Sequence, residues 1–347
     1  MAACFREMVA HPGVDPFVVA LASGRSGSSA RFSDDVLAGV PSLLVDSEAL
    51  SDSDALDSAI RTHRPEVIVL CGWFIPAYRR LLTDPQYAHI PIIMTMDTPW
   101  RGRPKQWLGR IALRRMLWRI SLMVVTGERS WQYAIRLGLP QEKIRRGMYG
   151  VDYRGLSECL SRREQVPWPK RFLFAGRYAP EKAIDVLMEG YEAYRSTVEK
   201  GHEDPWPLVC CGTGGLKELL AGRAGVTDRG FVQPAEMRDE LASAGVFVLP
   251  SRYDPWPLAV VEACAAGLPV IASEACGSTV EMIRPEFNGY LVATGSSRAL
   301  ADAMLRAHRE YEQLPEFGRR ANQFAAAYSA EVWAQRWGGF VREVVSS

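Results

Sequence analysis

Val246-Phe247-Val248-Leu249-Pro250 is an apolar strand. Ser251-Arg252-Tyr253-Asp254-Pro255-Trp256-Pro257 is a loop, Leu258-Ala259-Val260-Val261-Glu262-Ala263 a helix, and Cys264-Ala265-Ala266-Gly267-Leu268-Pro269-Val270-Ile271 a tight turn into a second strand. Neither strand alternates apolar with polar residues, so both faces of each are covered, as in a parallel sheet between helices. A helix joining neighbouring parallel strands makes a right-handed crossover, the repeating unit of doubly wound α/β folds.

The same alternation extends along nearly the whole chain. Candidate strands are 17–22, 43–45, 67–71, 92–96, 122–126 and 144–148, then 172–175, 208–211, 226–231, 246–249, 270–273 and 290–292. Between the two sets, 159–170 (CLSRREQVPWPK) carries charges and two prolines that interrupt any periodicity. The reading is two α/β domains, 1–165 and 166–328, with a ligand cleft expected at the carboxyl ends of the strands. Ala2–Ala10 reads as a helix ahead of the first strand, whereas a doubly wound domain normally opens with a strand. The first strand is therefore expected to be missing, with 17–22 acting as the second.

Composition narrows the function. The 347 residues carry 41 Lys+Arg and 40 Asp+Glu, a formal charge of +1, which disfavours nucleic-acid binding through bulk positive charge. No apolar run approaches the roughly 18 residues that span a bilayer. Met1–Pro12 places Arg6 and Glu7 where a secretory signal needs apolar residues, so none is expected. Seven scattered cysteines lack metal or CxxC spacing and fit a reducing cytoplasm, with the thiols expected as buried small hydrophobes. The five histidines form no ligand spacing and are expected at the surface, and no strand runs into GxGxxG, which disfavours a nicotinamide dehydrogenase.

Three stretches carry chemistry. In the quoted segment, the start of the helix at Leu258 and Ala259 presents free N–H groups and a positive dipole end suited to phosphate. Asp254 and Glu262, eight residues apart, suit hydroxyls on either side of a diphosphate. Strand 172–175 runs into Gly176-Arg177-Tyr178-Ala179-Pro180-Glu181-Lys182; Gly176 permits close backbone approach, and Arg177 and Lys182 bring two cations to the sheet edge. Gly212-Thr213-Gly214-Gly215 is a third phosphate-proximal turn.

The order GR-x4-K, a strand ending in GxG, D-x7-E, and then EA-x3-G-x-PVIAS resembles the group 1 retaining glycosyltransferases of the GT-B fold, over 171–307 in detail and over the first half in outline. The resemblance implies two Rossmann-like domains facing a cleft, with a final helix, 329–347, crossing back to the first. It implies a nucleotide-sugar donor as substrate, no metal, no cofactor, and the leaving phosphate as base. Carried over by position, Arg177 and Lys182 hold the diphosphate and Asp254 contacts the transferred sugar. Glu262 takes the ribose, Phe231 and Val232 flank the base, and Gly176, Gly212 and Gly214 leave room for the nucleotide. Leu258 and Ala259 supply amide donors, and Gly277-Ser278-Thr279 with Glu281 follows the family pattern. The sequence departs from that pattern at Asp254, where the family usually has Glu. It also has Pro255-Trp256-Pro257 in place of a glycine, Met96-Asp97 in place of His-Asp, and Tyr149-Gly150-Val151-Asp152 in place of Asn-Gly-Val-Asp.

Two rival functions stand beside this one. The first is an epimerase or hydrolase of nucleotide sugars with the same architecture, which needs acid/base side chains across the cleft that the sequence does not identify. The second is a noncatalytic nucleotide-sugar-binding or membrane-adaptor protein. Asp52-Ser53-Asp54 superficially matches a metal-binding DxD, but Asp52 or Ser53 reads as a helix cap. Trp100–Arg119 (WRGRPKQWLGRIALRRMLWR) holds seven cations and no acid. It reads either as a basic amphipathic helix for an anionic membrane or as a domain helix whose cationic stems cover its flanks. The acceptor is a glycan, a lipid-linked molecule or a small molecule; the location is cytoplasmic, at the inner membrane face if that segment docks. Trp333, Trp337, Phe340 and Val344 form a stripe expected to pack.

Overall fold

The structure is a computed structural model that describes residues 1–21, 34–46 and 54–346. It divides into two units, Met1–Gly150 with Ala330–Ser347, and Val151–Ser329. The proposed cap at Asp52 or Ser53 lies outside the described residues; helix Asp54–His63 begins directly after it.

Unit 1 contains β1 (Val18–Leu21), β2 (Ser42–Val45), β3 (Ile68–Leu70), β4 (Ile92–Met96), β5 (Leu122–Val125) and β6 (Ile144–Arg146). β1 pairs with β2, and β3-β4-β5-β6 form a second parallel sheet; among the described residues no strand pair joins the two. Successive residues of a strand point to opposite faces, and β4 and β5 show both. Ile92, Met94, Met96, Met123 and Val125 enter one core with Leu70 and Ala134. Ile93, Leu122 and Val124 enter another, closed by Cys4 and Met8 of helix Ala2–Val9 and by Trp333, Trp337, Phe340 and Val344 of helix Ala330–Val345. β6 stops two residues before the expected end because the next carbonyls are used otherwise. Gly147 turns to a φ of 104° and accepts from the Trp337 indole at 3.2 Å, and Met148 accepts from Trp333 at 2.8 Å.

Unit 2 contains β7 (Phe172–Ala175), β8 (Leu208–Cys211), β9 (Val226–Gly230), β10 (Val246–Leu249), β11 (Val270–Ser273) and β12 (Gly289–Val292). The six form one parallel sheet in the order β12-β11-β10-β7-β8-β9. The chain winds outward from β7 through β8 to β9, then returns to β10 on the other side of β7 and winds away again. The order therefore reverses between β7 and β10, and in open α/β sheets ligands bind at the carboxyl ends of the strands at such a reversal.

The units divide at Gly150/Val151, fifteen residues before the expected boundary at 165. Helix Tyr153–Arg163 belongs to unit 2, and Arg163, in the segment that reads as a linker, is fully buried. Its guanidinium donates to the carbonyls of Ala244, Ala266, Gly267 and Leu241 at 2.6–3.0 Å and stacks over Trp168 at 4.9 Å. The charge that suggested a linker is a buried staple.

Two further expectations are corrected. His308 is not at the surface: it packs on Trp206 at 4.9 Å and bonds to Tyr194 at 2.7 Å and Glu203 at 3.0 Å. Six cysteines are buried but Cys71 is exposed; Cys211 sits in the core, and desolvation there pushes its thiol up to about 12.

Candidate functional site

The loops that follow β7 and β10 meet at the reversal point of unit 2. After β7, Gly176 donates to Cys211 O at 3.0 Å and Tyr178 to Thr213 O at 2.8 Å, while Tyr178 O accepts from Leu216 at 3.1 Å. These bonds stitch the β7 and β8 loops together. After β10, Arg252 and Tyr253 both donate to Glu181 O, at 2.8 and 3.2 Å, and Gly277 donates to Asp254 O at 2.9 Å. The loops after β7, β10 and β11 are thereby one hydrogen-bonded surface.

On that surface Lys182 forms an ion pair with Asp254, 72 residues away. Both side chains are largely enclosed, at 16% and 11% exposure. Arg177 is placed differently: its guanidinium is 68% exposed and pairs with Glu181 at 2.7 Å. Lys182, Asp254 and Gly176 are brought together, the Lys182 Cε lying 3.9 Å from where a Cβ on Gly176 would sit; Arg177 stands at the rim.

The glycines of the second turn have a geometric reason beyond room for a ligand. A Cβ on Gly212 would fall 1.9 Å from Gly176 O, and one on Gly214, whose φ is 153°, would fall 2.4 Å from Tyr178 O. The β7 and β8 loops could not be stitched with larger residues there. Gly212→Ala is expected to cost about 1–3 kcal/mol, the range for overpacking a fixed site, seen as a lower denaturation midpoint. A variant as stable as the parent would show that the loops part freely.

Gly230 ends β9, Phe231 and Val232 follow it, and Gly212 donates to Gly230 O at 2.7 Å. Phe231 and Val232 are half-buried. Leu258 and Ala259 open helix Leu258–Ala265, where first-turn amides have no intrahelical acceptor. Pro257 is the N-cap; it lacks an N–H, so the amide donors begin at Leu258. Glu262 is half-buried on the same helix, and desolvation raises its carboxyl above the ordinary range. In the loop, Trp256 is buried and donates to Glu281 at 3.2 Å, while Ser278 donates to Pro257 O at 3.0 Å. These contacts hold the Pro-Trp-Pro segment rigid where a glycine was expected. Of the other departures from the family pattern, Met96 is buried in unit 1 and Asp152 caps helix Tyr153–Arg163, accepting from Gly155 at 3.1 Å.

Sequence reading missed the residues that hold these loops. Asp228 accepts from the buried Tyr178 hydroxyl and from Gly230 N, both at 2.8 Å. Burial, followed by this hydrogen bond, drives the Tyr178 phenol far above its usual value. The Asp-x-Gly spacing, which suits a side-chain-capped turn, was the available signal. Asp185 and Arg252 form a two-pronged pair at 2.6 Å that holds Asp185 below the usual carboxylate range; nothing in their separate positions marked them.

Known proteins match both halves. The family model described as glycosyl transferases group 1 matches residues 169–310, and that of the glycosyl transferase 4-like domain matches 3–149. The amylovoran biosynthesis glycosyltransferase AmsK of Erwinia amylovora is 30% identical over 192 residues, covering 51% of this chain and 45% of that protein. D-inositol 3-phosphate glycosyltransferase of Salinispora tropica is 33% identical over 183 residues, covering 48% and 36%. The chain spans less than half the length of these curated relatives. Among solved structures, Anabaena HepE in complex with UDP matches with a TM-score of 0.73 at 18% identity, over 99% of this chain and 96% of that one. Sucrose-phosphate synthase of Thermosynechococcus elongatus matches with 0.74 at 18%, over 99% and 92%. The fold is that of the GT-B proteins.

Proposed function

The chain belongs to the group 1 glycosyltransferases, and we propose that it moves a sugar from a nucleotide-sugar donor to an acceptor hydroxyl with retention of anomeric configuration and without a metal. The observation that carries this reading is the meeting of Lys182 and Asp254 at the strand-order reversal of unit 2, beside the amino end of helix Leu258–Ala265. In a nucleotide sugar the hexose is bonded directly to a phosphate, so a cation for the phosphate and a carboxylate for sugar hydroxyls belong side by side. The bond from the anomeric carbon to the phosphate oxygen breaks, the acceptor oxygen bonds to that carbon on the same face, and the acceptor proton passes to the departing phosphate. Lys182, Arg177 and the amides of Leu258 and Ala259 stabilise the charge that accumulates on the diphosphate, which is the task a metal performs elsewhere. Glu262 accepts from the ribose, and Phe231 and Val232 flank the base.

UDP-sugars are the first donors to test, since HepE is a UDP complex. Nucleotide release from a donor panel, with and without chelator, and the anomeric configuration of the product decide the reading. Turnover abolished by chelator or an inverted product overturns the finer statement; a panel that neither stabilises nor turns over overturns the whole. Glu262→Gln is expected to raise the donor KM about tenfold with kcat little changed, as for loss of one charge-assisted hydrogen bond made equally in ground and transition states. Because the Glu262 carboxyl titrates above an ordinary Glu, donor affinity should begin to fall on acidification at a higher pH than an ordinary Glu would allow, and Glu262→Gln should remove that dependence.

A further inference from the structure

We propose that the segment 101–118 of unit 1 is a docking surface for an anionic lipid bilayer. Helices Pro104–Ala112 and Arg114–Arg119 form this segment, and the first is oriented opposite to an ordinary domain helix. Its packed side is Gly109, where a Cβ would meet Leu137 at 3.2 Å and the Tyr133 hydroxyl at 3.4 Å. Its apolar stripe faces solvent: Trp107 is 64% exposed, Leu108 62% and Ile111 77%, and on the second helix Trp118 is 78% exposed. Positions 107, 108 and 111 share one helix face, as do 114, 115 and 118. The second helix is anchored from beneath by buried Leu117 and by Arg119, which donates to the carbonyls of Tyr87 and Ile90 at 2.6 and 2.7 Å.

Charge identifies the occupant. Arg103, Lys105, Arg110, Arg114 and Arg115 are exposed, and among the described residues none forms an ion pair. No acidic residue lies between Asp97 and Glu128, although the whole chain is balanced at +1. Large apolar side chains left in water and ringed by unpaired cations match a surface with negative headgroups over hydrocarbon. Indole rings beside guanidinium groups, such as Arg114 at 5.8 Å from the Trp118 ring, suit that boundary. No described helix is long and apolar enough to cross a membrane, so the contact is peripheral.

The test is co-sedimentation of the full chain with vesicles of phosphatidylcholine alone or with one-third phosphatidylglycerol, at low and high salt. Binding is expected only to the anionic vesicles and is expected to weaken with salt. Arg114→Gln and Arg115→Gln should each weaken it about fivefold, and Ile111→Ala with Trp118→Ala at least tenfold. Brominated acyl chains should quench tryptophan emission in the parent and less in Trp107→Phe with Trp118→Phe. All these positions are exposed, so thermal midpoints should hold within a degree or two. Absence of binding to anionic vesicles at low salt, equal binding to neutral ones, or full binding by the Ile111 and Trp118 double variant overturns the proposal. So does a concentration-dependent dimer abolished by that variant, which would make a second copy the occupant.

Discussion

Lys182→Ala is expected to lower kcat about 10²–10³-fold, the loss that follows removal of one donor from a developing oxyanion. The residue sits at the reversal point of the sheet with its ammonium already held in place by Asp254, so in the proposed reaction its charge needs little rearrangement to meet the donor's diphosphate. The same pairing has a structural consequence that must be separated from the catalytic one. Asp254 is only 11% exposed, and a largely enclosed carboxylate stripped of its cation destabilises the fold, here by about 2–3 kcal/mol. Removing both partners together leaves no uncompensated charge, so the double variant Lys182→Ala with Asp254→Ala should recover most of the melting temperature and none of the turnover. Recovery of turnover in the double variant would reduce the pair to a staple. Arg177→Ala should cost only about tenfold, because its exposed guanidinium contributes less in high dielectric than an enclosed charge.

Arg163→Ala is expected to destabilise unit 2 by about 3–5 kcal/mol, the cost of breaking a buried charged network by deleting one member. Four backbone carbonyls would lose their donor, and Trp168 would lose its stacked neighbour. The burial that makes the network strong also lowers the guanidinium pKa to about 10. For a unit of this size the thermal midpoint should fall by about 10 °C. Lysine should not rescue it, because a single ammonium does not reach four carbonyls around a planar fork. Ala244 and Gly267 lie just before β10 and β11, at the end of the sheet opposite the site, so kcat below the new midpoint should be unchanged. A loss under about 1 kcal/mol would mean that water replaces the guanidinium.

The strands covered on both faces were legible because that burial is recorded in their own few residues: 92–96, 172–175, 208–211, 246–249 and 270–273 appear with the expected bounds. The loops after β7 and β10 were legible for the same reason, each lying directly behind a readable strand. Their relation was not. That Lys182 meets Asp254 depends on strands β7 and β10 lying side by side although 70 residues separate them, whereas Arg177 pairs with its near neighbour Glu181.

Residues 159–170 show the limit most plainly. Charges and prolines there have the local character of a linker, yet Arg163 is buried, because the carbonyls that end distant helices and turns converge on one point and need donors. Segment 101–118 shows it in reverse: the same amphipathic pattern serves a buried helix or an exposed one, and the packing of Gly109 turns Trp107, Leu108 and Ile111 outward. By itself, then, the sequence determined the parallel α/β architecture and the loops that carry phosphate-binding residue types, because these follow from interactions between near neighbours in the chain. Only the tertiary structure decided which charges pair, which are buried and which apolar face meets water, because those depend on close packing between segments that the chain brings together from far apart.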